Sequence, residues 1–261
     1  MDNPYIRLTQ EFNDGRLRAI LASGQAVVLY RLAIMSKDGD WILREEAETL
    51  AHVIATLARH GARYRYGAPL DLRWLAHGWS SHLEFQEGGL RLRCDFVTRP
   101  PRVSPGALLA LWEAPVYKEV PVVSLPVLAE IKKTNREKDY AVIGELARKM
   151  EDPRLQALHS RSARDLMRLF AEQPAVVAEA SGERPLLSRI GQGREEIERL
   201  LDEERRALMR KNEDRLDRYL GAARRWGADW PRLSKELSGR PLAEAHEMMV
   251  ARAAELLPCE P

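Results

Sequence analysis

Hydrophobic positions along this chain repeat with two periods, one typical of helices and one typical of strands. Residues 45–60 carry apolar side chains every three or four positions, which predicts an amphipathic helix. Residues 82–86 and 90–97 alternate apolar and polar side chains on either side of Gly88, which predicts a β-hairpin. In the second of these strands, the alternation places Cys94 on the apolar face. The first part of the chain therefore mixes strands with helices.

Ser104 and Pro105 predict the cap and first residue of a helix that ends near Glu113. From about residue 141 onward, the sequence shows helical patterns and no convincing strand. Later helices are predicted over 134–150, 153–173, 194–226 and 241–257, with a loop over 174–193. These patterns suggest two domains, 1–140 with mixed structure and 141–261 as a helical bundle.

Composition restricts the class of protein. The chain has 261 residues, 45% of them hydrophobic, which is enough to build a core without disulfides or structural metals. The two cysteines, Cys94 and Cys259, do not show the spacing of a zinc site. The net charge is +2 without a basic block, which argues against a nucleic-acid-binding tail. No apolar run is long enough to span a membrane, so we expect a soluble cytoplasmic protein without a membrane partner.

The stretch MSKDGDW, residues 35–41, allows two interpretations. An Asp-Gly pair between apolar runs is a strong signal for a β-hairpin turn. If the same residues instead begin a strand, Asp38 and Asp40 point to one face, because side chains alternate along a strand. Two carboxylates on one face can hold Mg²⁺. These seven residues do not distinguish the turn from the metal site.

The order of the surrounding pieces favours the metal site. The small-residue turn Ser23-Gly24 is followed, after 13 residues, by Asp38 and Asp40, and Asp95 lies on the polar face of a later strand. This arrangement resembles the nucleotidyltransferase superfamily, whose fold is shared by the catalytic domain of DNA polymerase beta. Residues 128–147 are also similar to a segment of its bacterial abortive-infection and toxin–antitoxin branch.

The resemblance implies a role for each matching residue. Asp38, Asp40 and Asp95 would be catalytic residues and would hold Mg²⁺, with Asp95 also helping to activate the acceptor hydroxyl. The turn would open a helix whose N–H groups meet the triphosphate of a bound NTP. The residues expected to bind the nucleotide are Ser23, Gly24, Lys37, Lys132, Lys133, Arg136, Lys138 and Asp139.

The resemblance also implies a fold and a function. The fold is an α/β (α+β) nucleotidyltransferase-like mixed sheet flanked by helices, followed by a C-terminal helical bundle domain. The implied enzyme transfers an NMP from an NTP to a hydroxyl of RNA, a protein or a small molecule, as a toxin with an antitoxin-like partner in one branch. Ser23 and Gly39 depart from the usual pattern, where glycine and an apolar residue stand. These departures motivate an alternative, a catalytically inactive binding or regulatory protein with the same fold.

Overall fold

A computed structural model describes residues 3–261. The strands are β1 (Ala19–Ala22), β2 (Asp38–Leu43), β3 (Arg63–Tyr64), β4 (Ser81–Glu87), β5 (Leu90–Val97), β6 (Val116–Tyr117) and β7 (Pro121–Val122). The first helices are α1 (Pro4–Phe12), α2 (Ser23–Leu29), α3 (Ala47–Arg59), α4 (Leu72–Leu75) and α5 (Pro105–Glu113). The later helices are α6 (Leu125–Ile131), α7 (Glu137–Arg148), α8 (Pro153–His159), α9 (Ala163–Glu172), α10 (Pro174–Ala180), a 3₁₀ helix (Pro185–Gln192), α11 (Arg194–Ala222), α12 (Arg224–Leu237) and α13 (Leu242–Leu256).

In the described part of the chain, the strands form a seven-stranded mixed sheet in the order β3-β4-β5-β2-β1-β7-β6. Neighbouring strands are antiparallel except for β2 with β5 and β1 with β7, which are parallel. Helices α1 and α2 pack against β1, and α13 packs against α3 and β3. The predicted fold class, a mixed sheet flanked by helices and followed by a helical region, is confirmed. Between residues 3 and 261, none of the helices has both the length and the apolar character that a membrane span requires.

Three aromatic rings form the centre of the core beneath the sheet. The ring of Trp41 on β2 stacks on Phe96 of β5 at 5.4 Å between centroids, and Phe12 of α1 meets both rings edge-on. The indole N–H of Trp41 donates to Thr9 Oγ1 at 2.8 Å, so its one polar group is satisfied inside the core. The hydrophobic pattern does not predict α1, yet this helix covers the apolar face of β2.

The chain divides into two compact units. One contains the residues up to Val123 together with Asp217–Pro261, and the other contains Ser124–Leu216. These bounds differ from the predicted division at residue 140. At the C-terminal end the cause is packing, because Trp226, Leu233 and Met249 of α12 and α13 belong to the core of the first unit. Helices α12 and α13 therefore complete the sheet-containing unit.

The second unit is helical and has its own core, in which Leu166, Val177 and Ile197 are buried. The helix predicted over 153–173 is instead two helices, because the backbone turns at Ser160 and a new helix begins after it. The prediction missed Ser162, whose side chain caps α9.

The predicted loop over 174–193 is also wrong, because α10 and the 3₁₀ helix occupy it. Pro174 and Pro185 stand at the first positions of these helices, where proline is favoured because the first N–H has no intrahelical partner. The helix predicted over 194–226 ends at Ala222, and α12 follows as a helix that the sequence pattern did not separate.

Candidate active site

The turn between β1 and α2 lies beside one of the predicted carboxylates. Ala22, the last residue of β1, is the Cα partner of Asp40 on β2. Ser23 follows with a φ of 48°, in the left-handed region that costs a residue with a side chain about 1–2 kcal/mol. A Cβ at Gly24 would lie 2.2 Å from Ser36 Oγ and 3.0 Å from Ser36 Cβ, so a side chain at this position would displace Ser36 in the loop between α2 and β2. The small-residue turn thus starts α2 next to Asp40.

The stretch Asp38-Gly39-Asp40 is extended, so the hairpin-turn interpretation is wrong. All three residues belong to β2, in which the side chains of Asp38 and Asp40 alternate with the buried Gly39. The start of the strand is held by Gln25, whose side-chain amide donates to the carbonyl of Ser36 at 3.0 Å. The two carboxylates therefore share one face of the sheet.

Asp95 lies on the strand beside them. In the parallel pairing of β2 with β5, Asp40 and Asp95 are Cα partners, so their side chains leave the same face of the sheet. Cys94 and Phe96 point into the core and are fully buried, as the strand pattern predicts. Burial raises the pKa of the Cys94 thiol well above its usual range, which leaves it unreactive.

Cations also lie on this face. Arg93 on β5 is the Cα partner of Asp38, and its Nη1 lies 3.5 Å from Asp38 Oδ1. That oxygen is buried and has no hydrogen-bond partner. A buried carboxylate oxygen without a hydrogen bond is unfavourable unless a cation lies near it, and for Asp38 Oδ1 that cation is Arg93.

The carboxylate of Asp95 has polar partners on the neighbouring strands. His82 on β4 places Nδ1 2.7 Å from Asp95 Oδ1, and its other ring nitrogen lies 2.9 Å from Ser80 Oγ. Arg65, just after β3, places Nη1 3.3 Å from the same Asp95 oxygen. Asp40, Asp95 and His82 therefore lie side by side on three adjacent strands, and we call this group the carboxylate row.

The three predicted aspartates do not form a three-ligand metal group. Across residues 3–261, no group of three or more His, Cys, Asp or Glu side chains is arranged to hold a metal ion. Two features nevertheless fit Mg²⁺, namely the hard oxygen donors on one face and the Oδ1 atom of Asp38, which accepts no hydrogen bond. Asp95 Oδ1 is already in contact with His82 and Arg65, so Asp95 would join the ion after releasing Arg65.

The predicted nucleotide-binding residues after α6 form a cluster within the second unit. Asp139 is buried and accepts hydrogen bonds from Thr134 at 2.6 Å and from Arg136 Nε at 2.9 Å. Lys132 Nζ lies 3.7 Å from the other oxygen of the same carboxylate. The expectation that Asp139 orients basic neighbours agrees with these contacts.

The remaining predicted lysines lie outside that cluster. Lys133 pairs with Glu130, and burial lowers the pKa of its ammonium group. Lys138 is exposed on α7, and Lys37 is exposed just before β2. The backbone carbonyl of Lys37 accepts a hydrogen bond from the Tyr5 hydroxyl at 2.6 Å.

Sequence reasoning missed the polar side chains that meet Asp95. The six histidines show no metal-ligand spacing, so spacing does not single out His82. The predicted hairpin of β4 and β5 nevertheless indicates which residue lies opposite Asp95. With the turn at Gly88-Gly89 and Glu87 paired with Leu90, counting back along the antiparallel pair brings His82 opposite Asp95.

Comparisons with known proteins return structures only. No protein-family model and no characterised protein matches the chain by sequence. The chain is similar to a crystal structure from H. pylori that is provisionally described as a nucleotidyltransferase, with 13% identity, a TM-score of 0.41, and coverage of 81% of this chain and 94% of that chain. It is similar to the same degree to JHP933 from Helicobacter pylori, with 13% identity, a TM-score of 0.41, and coverage of 82% and 93%.

Proposed function

We propose that this protein is a nucleotidyltransferase that moves a nucleoside monophosphate from an NTP to an acceptor hydroxyl and releases pyrophosphate. One observation carries the proposal: the register of β1, β2 and β5 places Ala22, Asp40 and Asp95 side by side on adjacent strands, and the Ser23 turn follows Ala22 directly. Carboxylates beside a turn that opens a helix are the parts that metal-assisted phosphoryl chemistry needs.

The carboxylates would divide the work. Asp38 and Asp40 would hold Mg²⁺, and Asp95 would join them once it leaves Arg65. When bound, the ion stabilises negative charge on the reacting phosphate oxygens. The Oδ1 atom of Asp38 is a candidate donor for this role, because it accepts no hydrogen bond and its nearest cation, Arg93 Nη1, lies 3.5 Å away.

In the transfer step, one phosphorus–oxygen bond forms while another breaks, and this chain takes up the proton of the acceptor. The acceptor oxygen bonds to the α-phosphorus, and the bond from that phosphorus to the β-bridging oxygen breaks, so pyrophosphate leaves with the electron pair. The hydroxyl proton passes to the Asp95 carboxylate. His82 Nδ1, 2.7 Å from Asp95 Oδ1, fixes the direction in which that carboxylate points.

A second candidate is a protein of the same fold that binds nucleotide without transferring it. It is favoured by the contacts of Asp95 with His82 and Arg65 and by the lack of a three-ligand group among the described residues. In this case the row would serve recognition, and the Asp95 contacts would persist when nucleotide binds.

One experiment separates the two candidates. The purified chain is incubated with labelled NTPs, Mg²⁺ and RNA or protein extract, and NTP binding is measured by calorimetry. Label transfer that disappears in EDTA and in Asp40→Asn supports the transferase, whereas metal-dependent binding without transfer supports the inactive protein. Asp14→Asn, an exposed aspartate outside the row, is the matched control and should behave as wild type.

The toxin role is a further part of the proposal. Expression of a toxin that modifies RNA or protein should arrest growth, and Asp40→Asn should relieve the arrest. An antitoxin-like partner would then be sought as a protein that restores growth when co-expressed. Growth arrest that persists in Asp40→Asn would separate toxicity from the proposed transfer.

A further inference from the structure

A pocket of about 550 Å³ opens at the β3 edge of the sheet, within the first compact unit. It is lined on one side by Arg63, Glu84 and Arg91, and on the other by Trp230 and Arg240. Its volume lies in the range of about 300–1,000 Å³ in which small ligands and cofactors bind.

Guanidinium groups dominate the charge of this pocket. Arg63 and Arg91 place Nη2 atoms 2.9 and 2.6 Å from the two oxygens of Glu84, and Arg65 Nε lies 3.6 Å from the second oxygen. Burial acts to raise the pKa of Glu84, but the hydrogen bonds from Arg91 and Arg63 outweigh it and hold the pKa below its usual value. Arg63, Arg65 and Arg91 thus share the ionised Glu84 carboxylate, and because Arg65 also pairs with Asp95, the group keeps a net positive charge of one.

The buried carboxylate also orients the cations. The side chain of Glu84 is 5% exposed, whereas that of Arg63 is 72% exposed and that of Arg91 is 50% exposed. Each guanidinium carries five N–H donors, so two contacts with Glu84 leave further donors for a ligand. Guanidinium groups held in this way match the geometry of phosphate oxygens.

An aromatic surface adjoins these cations. Tyr66 is 42% exposed, and its ring meets Trp230 of α12 edge-on, with 5.8 Å between the centroids. The contact with Trp230 orients the tyrosine ring, and its exposed part is accessible to a ligand. An exposed ring beside cations is the combination that binds a nucleobase together with its phosphate.

Arg65 links the pocket to the candidate active site. This side chain reaches Glu84 in the pocket and Asp95 in the carboxylate row. Arg63 lies two strands from β5 and, through the pairing of Glu84 with Arg93, two residues along from Asp95. With strands about 4.8 Å apart and residues about 3.4 Å apart along a strand, Arg63 lies roughly 12 Å from Asp95. That is a suitable distance for a substrate whose reacting end extends to the row.

We propose that this pocket binds a nucleotide unit of the acceptor, with its phosphate on Arg63 and Arg91 and its base against Tyr66. That the bound nucleotide belongs to the acceptor rests on the proposed transfer reaction. That the pocket binds a nucleotide does not depend on that reaction. The nucleotide has two sources, a free nucleoside monophosphate or a single-stranded nucleic acid.

Binding is measured on the full chain in EDTA, with fluorescent AMP in one arm and a single-stranded RNA of about eight nucleotides in the other. Wild type binds at least one probe. Arg63→Gln and Tyr66→Ala each weaken binding about tenfold, and Arg63→Gln lowers the salt slope of RNA binding by about one. Arg240→Gln, which removes a pocket cation that does not touch Glu84, also weakens binding. Arg73→Gln, an exposed arginine paired with Asp71 outside the pocket, leaves it unchanged.

The two probes distinguish the sources. Tight AMP binding assigns a free nucleotide, and RNA binding much tighter than AMP assigns a strand. The proposal is overturned if neither probe binds, if Arg63→Gln and Tyr66→Ala both bind as wild type while remaining folded by circular dichroism, or if an acidic polypeptide competes as well as RNA.

Failure of this proposal is distinguishable from failure of the proposed function. If transfer requires Asp40 but Arg63→Gln leaves the KM for the acceptor unchanged, the pocket assignment is wrong and the transferase stands. If the pocket binds nucleotide and Asp40→Asn changes no measured transfer, the pocket stands and the transferase is wrong.

Discussion

The indole ring of Trp41 lies over Gly39 on the core face of β2. A Cβ at Gly39 would come within 2.3 Å of Trp41 Cη2 and within 2.5 Å of Tyr5 Cδ1, so the two rings fill the space of a side chain. In the nucleotidyltransferases that this sequence resembles, an apolar side chain packs at that position. At Gly39, the rings of Trp41 and Tyr5 therefore occupy the place of that side chain. They do so on the core face of β2, opposite to the face of Asp38 and Asp40.

Gly39→Ala should destabilise the protein by about 1–3 kcal/mol, the usual cost of inserting a group into a filled core. Urea unfolding measures the change. Gly106→Ala is the control, because a Cβ there meets nothing within 4 Å in α5 and alanine favours helices. Equal stability of Gly39→Ala and wild type would show that the two rings move aside without cost.

Ser23→Gly should leave stability unchanged or raise it by up to about 1.5 kcal/mol. Relief of the left-handed backbone at φ 48° gains about 1–2 kcal/mol, and the greater freedom of glycine in the unfolded chain takes back about 0.5–1 kcal/mol. Ser104→Gly offers a contrast, because Ser104 has a φ of −68° and caps α5 through Ala107 N–H. That variant should lose a few tenths of a kcal/mol. A clear loss in Ser23→Gly would assign the serine hydroxyl a structural role.

The carboxylate row predicts non-additive losses of activity. Asp40→Ala and Asp95→Ala should each reduce transfer strongly, and the double variant should lose little more, because residues that act as a unit are not independent. If the activity losses of the two single variants multiply in the double variant, Asp40 and Asp95 act independently. Phe96→Ala, next to Asp95 but fully buried against Trp41, should instead lower the free energy of unfolding by about 3–5 kcal/mol.

The sequence predicted those parts of the fold in which local pattern and tertiary packing agree. The hairpin of β4 and β5 follows from alternation around two glycines, and α5 runs from Pro105 to Glu113 as predicted. The pairing of Asp40 with Asp95 rests on two parallel strands with β4 between them in the chain, and no local pattern encodes that register. Likewise, α12 and α13 look like bundle helices by periodicity, although their apolar faces complete the core of the sheet unit.

The two neighbouring lysines after α6 should behave differently. Lys132→Ala should weaken NTP binding by about 1–3 kcal/mol if it meets phosphate, the scale of a charge-assisted hydrogen bond. Lys133→Ala should instead reduce stability, because it leaves Glu130 without its lysine partner. Calorimetry with NTP and urea unfolding test the pair, and equal small losses of binding at both positions would remove them from the nucleotide site.

Stability should fall with acid because of His159. Burial, and then the nearby cations Lys133, Arg184 and Arg161, lower the pKa of this histidine to about 3, whereas Glu204 acts to raise it. In the unfolded chain its pKa is near 6.5, so between these two values the unfolded chain binds the extra proton and the folded chain does not. The contribution is therefore fully present above about pH 6.5 and declines toward pH 3, by at most about 1.4 kcal/mol per pH unit.

His159→Leu should flatten this dependence, because the buried ring makes no hydrogen bond through Nδ1 and its removal eliminates the titration. Urea unfolding at about pH 7 and about pH 5 measures the effect, since at pH 5 most carboxylates are still ionised. His246, whose pKa is also lowered by burial, keeps its own contribution in this variant, so the dependence is reduced and not abolished. The Glu204 carboxylate, whose pKa is lowered by hydrogen bonds from Arg184 despite its burial, loses its own contribution only at lower pH. His77→Gln, at an exposed histidine of the other unit, is the matched control. If His159→Leu loses as much stability between the two pH values as wild type does, the buried histidine is not the group that senses acid.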